Sequence, residues 1–145
     1  MKPLFAALTL SLLASAAAAQ DNAVLTAAAQ EPGAQRTASG LVYRSLKDGN
    51  GVTPTASDVV RVHYRGTFPG GKEFDSSYSR GKPIEFPLDR VIPCWTEGVQ
   101  MMKAGGKAKL TCPPAIAYGA RGAGDVIPPN ATLQFEVELL GVAKR

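Results

Sequence analysis

The chain has 145 residues, a formal net charge of +4, one histidine and two cysteines. That length fits one domain, and the mild basic excess lacks the clustered patch or stripe that marks nucleic-acid binding. The lone histidine, with no carboxylate cluster at metal-ligand spacing, argues against a metal site, and no glycine-rich phosphate loop follows a strand, so no cofactor is expected.

The first segment reads as a secretory signal, residues 1–19. Lys2 supplies a positive start, residues 4–14 are an apolar run, and Ala17-Ala18-Ala19 fits a small-residue cleavage site before Gln20. The alternative, an uncleaved anchor, is opposed by the shortness of the apolar run. No cysteine follows the small residues, so a lipid anchor is not indicated, and no stable membrane insertion is expected. This places the mature protein across the inner membrane, in an oxidising compartment such as the bacterial periplasm.

Residues 20–38 are rich in Ala and Gln and lack a long apolar stripe. They read as a flexible leader, briefly helical over residues 23–30, with Pro32-Gly33 ending any helix. A compact domain is expected over residues 39–145.

Within it the pattern is mostly period two, as in half-buried strands. Over residues 58–68, Val60, Val62 and Tyr64 share one face, and Arg61, His63 and Arg65 the other. Pro69-Gly70-Gly71 is a turn before a short strand over residues 72–74. Ile84, Phe86 and Leu88 point one way in residues 83–88. So do Ala108, Leu110 and Cys112 in residues 107–113, and Leu133, Phe135, Val137 and Leu139 in residues 131–140. One candidate can cover this apolar face: residues 94–103, where Trp95, Val99 and Met102 recur at helical spacing and Gly105-Gly106 follows. The expected architecture is α+β: a curved antiparallel sheet of five to six strands wrapped around one short α-helix.

Cys94 and Cys112 are left as either a single disulfide or two small buried thiols. A bond across that loop would stabilise by about 3 kcal/mol in the chain-entropy account. Ser76 and Ser77 have no evident base partner in the sequence, so a hydrolytic triad is not expected. His63 reads as an ordinary residue of a polar strand face. What remains is an excess of aromatic and branched side chains at strand ends and loops, with Asp75 and Tyr118 among them. They form either plain core or an apolar pocket with a few oriented polar groups. Asp75 taken alone reads first as a turn cap, because Asp-Ser-Ser binds nearby backbone N–H groups.

The order of motifs resembles one family. VHYRGTFPGGKEFDSSYSRGKPIEFPL, then VIPCWTEGVQMM, GGKAKLTCPPAIAYG and VIPPNATLQFEVELL are similar to the FKBP-type peptidyl-prolyl cis/trans isomerases, over about residues 40–140. The VIPCWTEG segment and the signal-bearing leader look most like the small bacterial Mip-like branch. The resemblance implies a pocket between helix and sheet. Its walls would be Tyr64, Phe74, Phe86, Val91, Ile92, Ile127 and Phe135, with Trp95 as the floor. It implies roles in catalysis for Asp75, Tyr118 and Tyr64, and adds Arg80 and Ile84 to the substrate-binding set. It also implies proline-containing polypeptide clients and macrolides such as rapamycin as inhibitors. Ile84, Cys94 and Ala123 depart from the commonest family pattern. Longer Mip-like relatives dimerise through an extended helical region; the short leader here leads us to expect a monomer. The competing reading is a module that binds proline-containing or apolar segments with little catalysis.

Overall fold

The computed structural model describes residues 23–145; the expected signal lies outside the described residues. Among these, the strands are β1 (Ala34–Arg36), β2 (Val42–Lys47), β3 (Val59–Thr67), β4 (Glu73–Ser76), β5 (Ile84–Pro87), β6 (Lys107–Cys112) and β7 (Leu133–Ala143). Residues 23–29 are helical (α1), and a second helix, α2, spans Pro93–Val99. All neighbouring strands pair antiparallel in the order β1-β2-β6-β7-β3-β4, with β5 on β3.

The period-two pattern explains the sheet directly. Val60, Val62 and Tyr64 of β3, Ala108 and Leu110 of β6, and Leu133, Phe135, Val137 and Leu139 of β7 are all buried. They form one cluster with Trp95, Val99 and Met102. Register aligns Tyr64 with Val137, Gly66 with Phe135, and Leu110 with Phe135. The inner rows therefore meet in layers beneath α2. The alternate residues carry charge, and Arg65 pairs with Glu73 at 2.8 Å on the solvated face.

The helix differs in extent from the expected residues 94–103. It starts at Pro93, whose missing N–H is no loss in a first turn. It stops at Val99 because the next residues form other bonds. Met101 and Met102 bond back to Gly98 and Val99, tightening the last turn, and then Ala104 N–H reaches Val52 O and Gly105 N–H reaches Leu139 O. Gly98 lets the helix lie close on β6: a Cβ there would sit 2.8 Å from a Leu110 methyl.

Seven strands are present among the described residues, one more than the expected upper count, and the extra strand comes from the leader. Residues 23–36 lie on the sheet's outer side rather than free. Leu25 and Ala28 pack on Val42, and β1 extends the sheet beyond β2. Glu31 accepts from Lys109 Nζ at 2.8 Å and Arg44 Nη1 at 2.9 Å. These two bonds lower its pKa against the opposing effect of burial, Lys109 being the larger. Ordered structure thus extends upstream of the boundary expected at residue 39.

Cys94 and Cys112 are joined in a disulfide, with Cα atoms 5.8 Å apart, inside the range such bonds require. Both residues are fully buried.

Candidate active site

A cleft of about 440 Å³ opens between the N-terminal end of α2, the inner ends of β3, β4, β5 and β7, and the loop that follows β6. It is lined by Tyr64, Phe74, Asp75, Phe86, Arg90, Val91, Ile92, Trp95, Tyr118 and Phe135. Period two aims Tyr64 and Phe135 inward from adjacent strands. Phe74 comes close because Gly66 has no side chain. A Cβ at Gly66 would lie 2.5 Å from the Phe74 ring and 3.1 Å from Phe135. Val91 and Ile92 sit on the extended connection into α2, with ψ of 176° and 146°. Trp95, in the first turn of that helix, is thereby set at the base.

The rings meet edge to face around Trp95. Its centroid is 5.2 Å from Tyr64, 5.7 Å from Phe86 and 5.5 Å from Phe135, with interplanar angles of 83–90°. Phe74 meets Phe135 in the same manner at 5.6 Å. This is the favoured geometry for aromatic quadrupoles, and it locks each ring against two or three others. The indole N–H of Trp95 is buried with no hydrogen-bond partner among the described residues. Trp95 is 4% exposed and Phe135 5%, so the base of the cleft is apolar and stiff.

The polar groups gather on one side. The Tyr64 hydroxyl donates to Asp75 Oδ2. Arg80 donates to Asp75 Oδ1 at 2.6 Å and to the Tyr64 oxygen at 3.0 Å, with its guanidinium 5.8 Å from the Tyr64 ring centroid. The backbone N–H of Ser76 also bonds Asp75 Oδ1 at 2.9 Å, so the turn-cap role coexists with the Tyr64 contact. Burial raises the Asp75 pKa, but the bonds from Tyr64, Arg80 and Ser76 outweigh it and hold the carboxyl below the usual range. Burial, aided by Asp75, pushes the Tyr64 phenol up. At neutral pH the pair is therefore a carboxylate and a neutral hydroxyl.

Across the cleft, the Ile92 carbonyl accepts from Trp95 and Thr96, while its N–H has no acceptor among the described residues. Tyr118 is 39% exposed, held at the mouth by a short 3-10 turn (Pro114–Ile116) that follows β6.

Of the residues singled out from the sequence, nine line the cleft. Three do not. Arg80 acts from behind through Asp75 and Tyr64. Ile84 sits on β5 opposite Val62, packed on the core. Ile127 is 5% exposed and pairs with Ala123 at a separate depression beside Phe68 and Pro128. The sequence reading missed Arg90, a cleft-lining cation. Its position directly before Val91 is the available signal.

One expectation is corrected. Ser77 does have a histidine partner: His63 Nδ1 lies 2.8 Å from its Oγ, and His63 stacks on Tyr78. Ser77 is nevertheless fully buried, and its Oγ accepts from the Tyr64 N–H at 2.7 Å. That hydroxyl braces β3 and is closed to a substrate.

Comparison with known proteins agrees with this fold. The profile described as FKBP-type peptidyl-prolyl cis-trans isomerase matches residues 51–140. A protein of Aeromonas hydrophila named FKBP-type peptidyl-prolyl cis-trans isomerase FkpA is 52% identical over 83% of this chain and 44% of its own length. The crystal structure of FkpA from Escherichia coli superposes with a TM-score of 0.86 at 46% identity, covering 96% of this chain and 65% of that one. A crystal structure of a peptidyl-prolyl cis-trans isomerase from Pseudomonas syringae pv. tomato gives a TM-score of 0.83 at 39% identity, covering 90% and 96%. The chain spans less than half the length of the curated FkpA relatives it matches.

Proposed function

This chain belongs to the FKBP-type peptidyl-prolyl cis-trans isomerase family, and from that premise we propose that it accelerates rotation about Xaa-Pro bonds in polypeptide clients. The observation that carries the reading is the aromatic-walled cleft based on Trp95, with one ionised carboxylate at its edge.

The physical problem is amide resonance, which sets a barrier of ~18–20 kcal/mol and an exchange time of tens to hundreds of seconds. No covalent bond need form or break. In the twisted transition state the amide has lost resonance and carries a smaller dipole. An environment without water therefore favours it over the planar ground state. Only such a difference raises the rate, and each tenfold gain needs about 1.4 kcal/mol.

In this reading Trp95, Phe135, Phe86, Val91, Ile92 and Tyr64 hold the proline ring. The unspent N–H of Ile92 and the Tyr118 hydroxyl take substrate carbonyls, and Asp75 orients the rotating carbonyl electrostatically. Tyr64 and Arg80 keep that carboxylate charged and aimed. The isomerase names of the curated relatives favour catalysis over a purely holding module.

A Mip-like branch rests on the VIPCWTEG segment. A periplasmic location rests on the secretory pattern of residues 1–19. Among the described residues no helix is long and apolar enough to cross a membrane. Refolding of a proline-limited client, with and without rapamycin, tests the function. Acceleration abolished by the macrolide supports it; an unaltered slow phase contradicts it.

A further inference from the structure

The pocket chemistry leaves one buried feature unused: the link between Cys94 and Cys112. Cys94 lies two residues after Ile92 and directly before Trp95, in the first turn of α2. Cys112 ends β6, at the last pairing of that strand, opposite Leu133. The chain then passes through Pro113 and the Pro114–Ile116 turn to Tyr118. The bond therefore ties the segment bearing Val91, Ile92 and Trp95 to the root of the segment bearing Tyr118. These are two flanks of one cleft.

We propose that the Cys94–Cys112 disulfide is a positioning clamp that holds these flanks at a fixed spacing and so sets how tightly a proline segment is gripped. The inference rests on reading this cleft as the isomerase site. A seven-residue helix does not hold itself in water, and Ile92 provides no side-chain cap at its start. The C-terminal half of α2 is seated by the close approach of Gly98 to Leu110. At the other end, Trp95 packs on three rings and Thr96 Oγ1 donates to Leu88 O at 2.7 Å. Those contacts are non-covalent and line or adjoin the cleft itself; the bond to the end of β6 is the covalent attachment at the end that carries the cleft residues. Both cysteines are 0% exposed, so a dissolved thiol reaches neither sulfur without local opening. The bond is a permanent brace under native conditions rather than a switch.

A general staple and a clamp act on different quantities. A staple restricts the unfolded chain and moves the unfolding midpoint. A clamp alters ligand binding in protein that is still folded. The test compares the oxidised chain with Cys94→Ala/Cys112→Ala, well below the unfolding transition located for each by denaturant titration. Isomerisation of a blocked tetrapeptide containing Leu-Pro is followed to saturation. The clamp predicts KM raised roughly three- to tenfold with kcat within about twofold, because grip on the planar and on the twisted amide is lost about equally, which lowers kcat/KM and spares kcat. Trp95 is the sole tryptophan, and its emission should shift to the red as the base of the cleft admits water.

Unchanged KM and emission in the folded double variant overturn the proposal, whatever the midpoint does. Cys94→Ala/Cys112→Val, which refills the end of β6, guards against a simple volume effect. If neither variant folds, the bond serves the whole fold and the clamp is likewise overturned. An oxidised chain inactive on every proline peptide would instead sink the isomerase reading. Fluorescence titration of the peptide against both proteins would still decide the clamp.

Discussion

Trp95 and Phe135 stand perpendicular, their centroids 5.5 Å apart, one from α2 and the other from β7. Each is almost fully buried, yet each lines the cleft. Removing either ring takes away both core packing and ligand surface. Phe135→Ala should destabilise by about 2–4 kcal/mol, slightly under a fully enclosed phenylalanine because one side already faces the cleft. It should also reduce kcat/KM at least tenfold in protein that remains folded. Denaturant titration and peptide isomerisation measure the two effects separately.

Asp75 and Tyr64 should separate activity from stability. Their cluster is partly exposed, so Asp75→Ala should cost under about 1 kcal/mol of stability. If the carboxylate steers the rotating carbonyl, kcat/KM should nonetheless fall roughly tenfold, the loss of about 1.4 kcal/mol of differential stabilisation. Tyr64→Phe leaves the ring and frees Asp75 from its hydroxyl partner, and should give a smaller loss. Wild-type kinetics in folded Asp75→Ala would remove that residue from the mechanism.

Acid should weaken the protein in a defined direction. Asp75, Asp58 and Glu31 all have folded-state pKa values below their ordinary ones. Asp58 owes this first to the Thr55 N–H, then to Lys144. A depressed carboxylate pKa means the unfolded chain binds protons first, so stability is full above the ordinary carboxylate range and is lost as pH falls through the folded values. The urea midpoint should be flat from about pH 8 to pH 5 and drop below about pH 4. Asp58→Asn should reduce the steepness of that drop.

Gly66 tests the packing beneath Phe74. Alanine there places a methyl within 2.5 Å of the ring, and Phe74 must swing away. Destabilisation of about 1–3 kcal/mol is expected, with weaker peptide binding because a wall of the cleft has moved. Unaltered affinity and stability would show that the ring relocates freely.

The docked leader makes a contrasting case. Leu25 is 5% exposed and packs with Ala28, Val42 and their neighbours on the outer side of the sheet. Leu25→Ala should cost about 1–2 kcal/mol, less than a central leucine, and should speed amide exchange in β1. Peptide isomerisation should be unchanged, since this cluster lies apart from the cleft.

The central sheet was legible in the sequence because β3, β6 and β7 each bury one face, and strict alternation states that face directly. Val60, Val62 and Tyr64 needed no tertiary knowledge. The end of α2 was less legible. Met102 keeps the helical spacing, but Ala104 and Gly105 bond to Val52 and Leu139 instead, and such long-range competition leaves no local trace. The strand β1 was missed because Ala34–Arg36 carries no alternation; its place depends on pairing with β2 and on Glu31 meeting two cations from different strands. The cleft residues came through motif order, and chemistry alone left their aromatics ambiguous between core and pocket. Trp95 and Phe135 show why: they are both. The His63–Ser77 contact was invisible for another reason, since it depends on how the chain turns back on itself.

The most direct measurement is exchange between the cis and trans forms of a short proline peptide, followed by NMR without a coupled protease, on the chain with its disulfide intact. The account predicts exchange faster than the spontaneous rate, catalytic in protein, and sharply reduced by Phe135→Ala and Asp75→Ala. A folded, oxidised protein that binds the peptide yet leaves its exchange rate at the uncatalysed value would contradict it.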